Sequence, residues 1–189
     1  MVNIKIPYSR KFLDAEINEK NLSGILESKA AGYKPACSQE ELVEKALDNP
    51  IDSPCLEELV SGKNNMVIIT SDHTRPVPSR ITMPILLRRI RKANPDIDIT
   101  ILIATGFHRK TTKKELIDKF GEEIVRNEKI VIHDSRDESS LVKVGTLPSG
   151  GELILNKTAI NTELLIAEGF IESHFFAGFS GGRKSILPG

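Results

Sequence analysis

NMVIITSDHTRP, residues 65–76, decides the fold, because a run of uncharged residues ends abruptly in a polar turn. An apolar run of this length is typical of a strand that is buried on both faces of a parallel sheet. Similar runs follow at 98–104, 129–132 and 163–167, and patterns typical of helices separate them. Strands that alternate with helices in this way predict an α/β fold, with a mostly parallel central sheet and helices on both faces.

Start and stop signals predict the elements around these strands. Ser38 precedes Glu41 by three residues, and Thr112 precedes Glu115 by the same spacing, so a capped helix is expected after each. Further elements are predicted from turn residues and apolar spacing: a short amino-terminal β-hairpin from residues 2–6 and 12–17, a helix that opens at Pro54 and ends at Gly62, a helix over 80–93, and an extra strand over 152–155 near an edge.

The composition excludes several classes of partner. Lysine and arginine number 26, equal to aspartate and glutamate, so the net charge near zero favours neither nucleic acid nor an anionic membrane. The apolar runs are too short to cross a bilayer, and the first residues do not resemble a signal peptide. Cys37 and Cys55 match no zinc or redox motif, and we expect reduced thiols. The sequence therefore predicts a cytoplasmic protein in which any anionic ligand is held by a few placed groups.

Each of the four histidines follows a predicted strand. His73, His108, His133 and His174 all lie just beyond a carboxyl end, the edge at which open α/β sheets bind ligands. One such histidine taken alone is more often structural, but four at one edge favour a functional site. His133 has only a polar loop beside it, so we interpret it as structural.

The segment Asp72-His73-Thr74-Arg75 follows the first buried strand. Its carboxylate suits a polyol, and its arginine suits a carboxylate or phosphate because the planar guanidinium donates two parallel hydrogen bonds. A local ion pair between Asp72 and Arg75 would explain the same residues without any ligand. Both interpretations stay open at this point.

The glycine-rich stretch 178–185, GFSGGRKS, offers backbone N–H groups that could cradle an anion. It does not match the spacing of a P-loop, which disfavours a nucleotide triphosphatase. A kinase or phosphatase would also need metal-binding carboxylates, and only Glu168 and Glu172 lie nearby in sequence. Lys184 is a candidate covalent attachment point, since a desolvated lysine amine is a nucleophile.

Three long motifs together resemble one known family. They are SDHTRPVPS at 71–79, ATGFHRKTT at 104–112 and EGFIESHFFAGFSGGRKSILPG at 168–189. They are similar to the amino-terminal domain of lactate racemases, which use a nickel-pincer nucleotide. The resemblance covers essentially the whole chain.

The resemblance implies a specific chemistry. Members of the family interconvert D- and L-lactate by hydride transfer to and from a nickel pyridinium-3,5-bisthiocarboxylic acid mononucleotide. The resemblance assigns the tether of this cofactor to Lys184 and the acid–base roles to His108 and His174. It assigns contacts with the mononucleotide to Asp72, His73, Thr74 and Arg75, with Arg75 also near the substrate. Expected partners are a 2-hydroxy acid and the cofactor-synthesis proteins.

Family members are about twice as long and carry a second domain and a histidine nickel ligand. The resemblance therefore implies that residues 1–189 form the amino-terminal, cofactor-binding domain of a two-domain enzyme. Without the carboxyl-terminal domain, this chain is expected to be inactive, to provide no nickel ligand and to lack cofactor. Two alternatives stay open: a racemase or epimerase of another 2-hydroxy acid, and a non-catalytic domain that senses a nucleotide or hydroxy acid. A sensor would have no need of a covalently competent Lys184.

Overall fold

The computed structural model describes residues 1–26 and 28–187, which divide into two compact units, Met1–Ala36 and Cys37–Gly189. The first unit contains the predicted hairpin, in which β1 (Val2–Tyr8) pairs antiparallel with β2 (Lys11–Ile17). The turn falls at Ser9, which has a φ of 55°. Two 3-10 turns complete this unit, at Glu19–Asn21 and Lys29–Gly32.

The second unit contains the alternating strands and helices that the sequence predicts. Its helices are α1 (Gln39–Asp48), α2 (Leu56–Val60), α3 (Ser79–Ala93), α4 (Lys113–Phe120), α5 (Glu122–Asn127) and α6 (Lys157–Ile160). Its strands are β3 (Asn65–Ser71), β4 (Asp98–Ala104), β5 (Lys129–Ile132), β6 (Leu141–Thr146), β7 (Glu152–Asn156), β8 (Leu165–Glu168), β9 (Ser173–His174) and β10 (Gly178–Phe179). 3-10 turns cover Glu138–Ser140 and Gly182–Ser185. Within the described residues, no helix is long and apolar enough to cross a membrane.

The central sheet confirms the predicted α/β class. Its four strands lie in the order β5-β4-β3-β8, and every pair is parallel. From β3 the chain moves outward to β4 and β5, and it later returns to the other side of β3 as β8. The order in which successive strands are placed across the sheet therefore reverses between β3 and β8. This is the position at which open α/β sheets form a crevice for ligands.

The two faces of the sheet are covered unequally. Ile68 and Ile101 face a core of apolar residues from α2, α3, α4 and α5, and both are fully buried. Their neighbours Val67 and Leu102 face the opposite side, which is covered by Ala159 of α6 and by Ile186. Because side chains alternate along a strand, one uncharged run can supply both cores.

Several of the predicted elements differ in the structure. Helix α2 begins at Leu56, two residues after the predicted proline, with Cys55 at its amino-terminal cap. Strand β8 begins at Leu165, and the backbone N–H of Glu163 before it donates to the side chain of Asn65 instead of to a neighbouring strand. Strand β7 pairs with β6 in a separate antiparallel hairpin, so it is not an edge of the central sheet.

Candidate functional site

All four histidines lie beyond the carboxyl ends of the parallel strands. His73 is two residues past β3, His108 is four residues past β4, and His133 follows β5 directly. His174 ends the short strand β9, in the loop that leaves β8. The loops after β3 and β8 flank the reversal of the strand order, so they form the two sides of the crevice.

A buried carboxylate orients His108. The Oδ2 atom of Asp72 lies 2.7 Å from Nδ1 of His108, and only 1% of Asp72 is exposed. The other oxygen, Oδ1, accepts hydrogen bonds from the backbone N–H and the hydroxyl of Thr74 at 3.0 and 2.6 Å. The sequence predicted a ligand contact or a local ion pair with Arg75 for Asp72, but not its contact with His108, which joins the loops after β3 and β4.

The protonation states of this pair follow from its contacts. Burial acts to raise the pKa of Asp72, but the hydrogen bonds from Thr74 and His108 outweigh burial and hold the pKa below its usual value. Asp72 is therefore an ionised carboxylate, which can only accept a hydrogen bond. Nδ1 of His108 must then carry a proton and donate to it. In neutral His108 the lone pair is then on Nε2, and the side chain is 42% exposed. An imidazole held in this way is a suitable general base.

The remaining residues of the Asp72–Arg75 segment have different surroundings. The ring of His73 is 15% exposed and lies 3.2 Å from the hydroxyl of Thr111, with Nε2 3.6 Å from Glu115. These contacts tie the segment to the start of α4. Arg75 is exposed and donates a hydrogen bond to the Thr74 hydroxyl. Among the described residues no ion pair joins Arg75 to Asp72, so the purely local pairing is absent and the guanidinium is left open to solvent.

The ring of His174 is held by the turn of a small hairpin. His174 pairs with Gly178 across β9 and β10, and the residues between them form the turn. The backbone N–H groups of Phe176 and Ala177 point at Nδ1 of His174, at 3.4 and 3.2 Å. Phe175 stacks on the ring at a centroid distance of 4.9 Å. In contrast to His108, His174 therefore has its lone pair on Nδ1.

The lysine predicted as the tether contacts the same turn. Lys184 lies in the 3-10 turn Gly182–Ser185, and its ammonium donates a hydrogen bond to the carbonyl of Ala177. Gly181 has a φ of 85°, and a Cβ there would approach the Phe170 carbonyl oxygen to 2.7 Å. This position requires glycine because the turn packs directly against the backbone that follows β8.

A second buried carboxylate, which the sequence did not single out, lies beneath the crevice. Glu168 ends β8, is 6% exposed and accepts hydrogen bonds from three hydroxyls. The donors are Thr70 at the end of β3 and Ser79 and Thr82 at the start of α3. These bonds fix both ends of the loop that carries Asp72. The sequence signal that could have indicated this buried carboxylate is the position of a charged residue at the end of an apolar strand.

Two cavities open at this edge. One, of about 270 Å³, lies between the loops after β4 and β5, and His108, Arg109 and Arg136 are among its lining residues. The other, of about 260 Å³, lies on the less covered face of the sheet and includes Ser185. His133 borders both and bonds through Nδ1 to Asn156 at 3.0 Å, which agrees with a structural role.

The side chains and the glycine backbone of the site can be compared with what a metal-containing cofactor would need. Within the described ranges, no cluster of three or more histidine, cysteine or carboxylate side chains could hold a metal ion. Gly178 and Gly182 have φ values of 75° and 59°, and the space that a Cβ would occupy there is empty. The open backbone and the nearby Lys184 amine fit a bulky, phosphorylated and covalently attached group.

Comparison with known proteins identifies a family for this chain. Residues 8–189 match the family described as lactate racemase N-terminal domain. The chain is 61% identical over 189 residues to a lactate racemase of Lactiplantibacillus plantarum, covering 45% of it, and 58% identical to one of Thermoanaerobacterium thermosaccharolyticum, covering 44%. Our chain thus spans less than half the length of these curated relatives.

Solved structures show the same relationship. The lactate racemase apoprotein of Thermoanaerobacterium thermosaccharolyticum superposes with a TM-score of 0.91 at 56% identity, over all of this chain and 43% of that one. A Thermotoga maritima protein superposes at 0.62 with 23% identity, over 79% of this chain and 38% of that one, and shares only the fold. On these matches, the chain belongs to the lactate racemase N-terminal domain family.

Proposed function

We propose that residues 1–189 form the amino-terminal, cofactor-binding domain of a two-domain cytoplasmic lactate racemase. The observation that carries the proposal is the buried Asp72 carboxylate at 2.7 Å from His108, at the edge of the sheet from which His174 and Lys184 also project. The names of the relatives support lactate as the substrate.

The cofactor would be held at this edge by residues from three loops. Lys184 would form the tether, and the segment Asp72–Arg75 with the open glycine backbone would border the mononucleotide. When bound, the nickel-pincer nucleotide supplies the acceptor that takes the C2 hydrogen of the hydroxy acid as hydride and returns it. No side chain of this chain can accept a hydride, so that task falls to the cofactor.

His108 acts on the hydroxyl proton of the substrate. Its Nε2 lone pair takes this proton as C2 becomes planar, and the adjacent Asp72 carboxylate stabilises the imidazolium that results. Arg75 is exposed and can bind the substrate carboxylate through two parallel hydrogen bonds. These two groups fix the hydroxy acid at both ends.

His174 acts on the opposite side of the substrate. Return of hydride to the other face of the planar keto acid requires a proton for the carbonyl oxygen, and an imidazolium at His174 supplies it. The two histidines then exchange protons with solvent before the next turnover. Because each serves one enantiomer as base and the other as acid, both are needed in both directions.

A chimera tests the proposal. This chain would replace the matching 44% of the Thermoanaerobacterium thermosaccharolyticum relative, and the chimera would be co-expressed with cofactor-synthesis proteins. We expect covalent loading by intact-mass spectrometry and interconversion of D- and L-lactate. Lys184→Arg should abolish the mass increment, while His108→Ala and His174→Ala should keep it and each reduce turnover by roughly 10²–10⁴-fold.

The outcomes separate the alternatives. A loaded chimera that racemises a larger 2-hydroxy acid but not lactate would replace the substrate and keep the mechanism. A chimera that binds hydroxy acid without turnover would favour a sensing domain. An equal mass increment on Lys184→Arg would show that the attachment point lies elsewhere.

A further inference from the structure

The contacts of His174 conflict with its proposed role as an acid. To donate a proton from Nε2, the ring must first be an imidazolium with protons on both nitrogens. In the structure, Nδ1 accepts from the backbone N–H groups of Phe176 and Ala177. A proton on Nδ1 would face two N–H donors and could not form while this turn persists. The same turn also prevents Nε2 from acting as a base, because the neutral ring then keeps its proton there.

Lys184 stabilises this turn from its other side. Its ammonium donates to the carbonyl of Ala177, while the N–H of the same residue points at His174. The peptide units on both sides of Ala177 therefore link the lysine to the imidazole. The adjoining strands β9 and β10 pair over only two residues each, and Glu172 and Ser180 exchange two further hydrogen bonds at the open end of this hairpin. Lys184 therefore acts at the opposite end, on the turn itself.

We infer that Lys184 is a positioning residue for His174, and that the free ammonium keeps His174 in a tautomer that cannot transfer protons. Attachment of the cofactor changes this state. Condensation of the neutral amine with a thiocarboxylic acid would form one C–N bond, break the C–O bond of the acid and release water, and the resulting thioamide nitrogen would be uncharged with a single hydrogen. The turn then loses the ammonium that held Ala177, and Nδ1 of His174 becomes available for a proton.

The inference rests on the proposed roles of Lys184 and His174, and it has a consequence for the unloaded protein. Without cofactor, His174 should be a neutral hydrogen-bond donor through Nε2, whereas His108 should have its lone pair on Nε2. The two imidazoles are thus held in opposite tautomers until Lys184 is modified. In a domain without cofactor, only His108 would then have a tautomer suited to proton transfer.

Nitrogen NMR of the 189-residue chain, without any cofactor, tests this inference. In the wild type at pH about 8, Nδ1 of His174 should resonate as an unprotonated nitrogen and Nε2 as an N–H. Lys184→Met removes the ammonium and keeps the length, so the two His174 resonances should move toward each other. The amides of Phe176 and Ala177 should exchange with solvent about 2- to 10-fold faster, the factor expected for loss of one hydrogen bond.

Two variants serve as controls. Lys184→Arg keeps a cationic donor and should retain the wild-type resonances. Lys143→Met removes an exposed lysine that pairs with Glu152 on the β6–β7 hairpin, and it should leave His174 unchanged. Slow exchange in β3 and β4 of every variant shows that the fold is intact.

The inference is overturned if His174 has the same resonances in wild type and Lys184→Met. It is equally overturned if Lys184→Arg or Lys143→Met produces the shift. Because no cofactor enters this experiment, its result is independent of covalent loading. A chimera that fails to load, together with a shift in Lys184→Met, would remove the proposed function and keep the positioning role.

Discussion

Asp72→Asn changes one atom of a buried side chain and should relocate a proton on His108. Asparagine can still accept from Thr74 through its carbonyl oxygen. Its amide, however, replaces Oδ2, the oxygen that lies 2.7 Å from Nδ1 of His108. An NH₂ group can only donate, so Nδ1 must become the acceptor and the proton moves to Nε2. The base would then be lost while the shape of the site is kept.

The magnitude follows from burial and from the type of hydrogen bond. Asp72 is 1% exposed, and a buried charge-assisted hydrogen bond that is broken costs about 1–3 kcal/mol in the free energy of unfolding. In the loaded chimera, turnover should fall by roughly 10²–10⁴-fold, as expected for loss of a general base. Cofactor loading at Lys184 should persist.

The pH dependence of stability provides an independent check. The pKa of folded Asp72 lies below its usual value, so its ionised form stabilises the fold above the unfolded pKa of about 4. This contribution is lost as the pH falls through the folded pKa. The free energy of unfolding of the wild type should therefore decrease in acid, and that of Asp72→Asn should decrease less.

Urea unfolding and nitrogen NMR of the His108 ring measure these effects. Asp98→Asn is the matched control, because its carboxylate is 65% exposed and lies at the amino end of β4. It should leave the His108 resonances unchanged. If Asp72→Asn also leaves them unchanged, Asp72 does not set the tautomer and the assignment of Nε2 as the base is wrong.

Three further predictions concern other parts of the domain. Ile101→Ala should reduce the free energy of unfolding in urea by about 2–5 kcal/mol, because Ile101 is fully buried between β3 and β5; a loss under 1 kcal/mol would contradict the packing. Thr112→Ala should cost about 1 kcal/mol, because Thr112 caps α4 through Glu115, and unchanged stability would refute the cap. Burial lowers the pKa of His133 and outweighs the opposing effect of Asp134, so proton NMR should show His133 titrating below about 6.5. The free energy of unfolding should decrease as the pH drops below about 6.5, because the unfolded chain then binds the proton more readily. A titration of His133 above about 6.5 would show that its ring is open to solvent.

The fold was predictable because the decisive strands have no competing pattern. The uncharged runs beginning at Met66 and Ile99 can satisfy both faces of a buried strand, and the capping boxes at Ser38 and Thr112 fix two helix starts. The β6–β7 hairpin was harder to predict from the sequence. The sequence LVKVGT at 141–146 alternates weakly and contains a bulge between Lys143 and Gly145, so its strand was not predicted.

The candidate site was predictable in its residue types and less so in its contacts. A histidine after a strand can be found from order along the chain, but which side chain its Nδ1 meets depends on the neighbouring loop. Asp72 contacts His108 across 36 residues of sequence, and Glu168 contacts Thr70 across 98. Such pairs are set by the strand order, which periodicity alone does not specify.

The position of β8 in the sheet also affects the order in which the strands pair during folding. Its partner β3 is made about 98 residues earlier, while β4 and β5 lie close by in the chain and can pair first. Long loops close slowly, so β8 should join the sheet late in folding. During synthesis the stretch that carries Lys184 also emerges after all four strands of the sheet. The proposed attachment point therefore emerges when the sheet beneath it can already be complete, and this order would limit attachment of a cofactor to an unfolded chain.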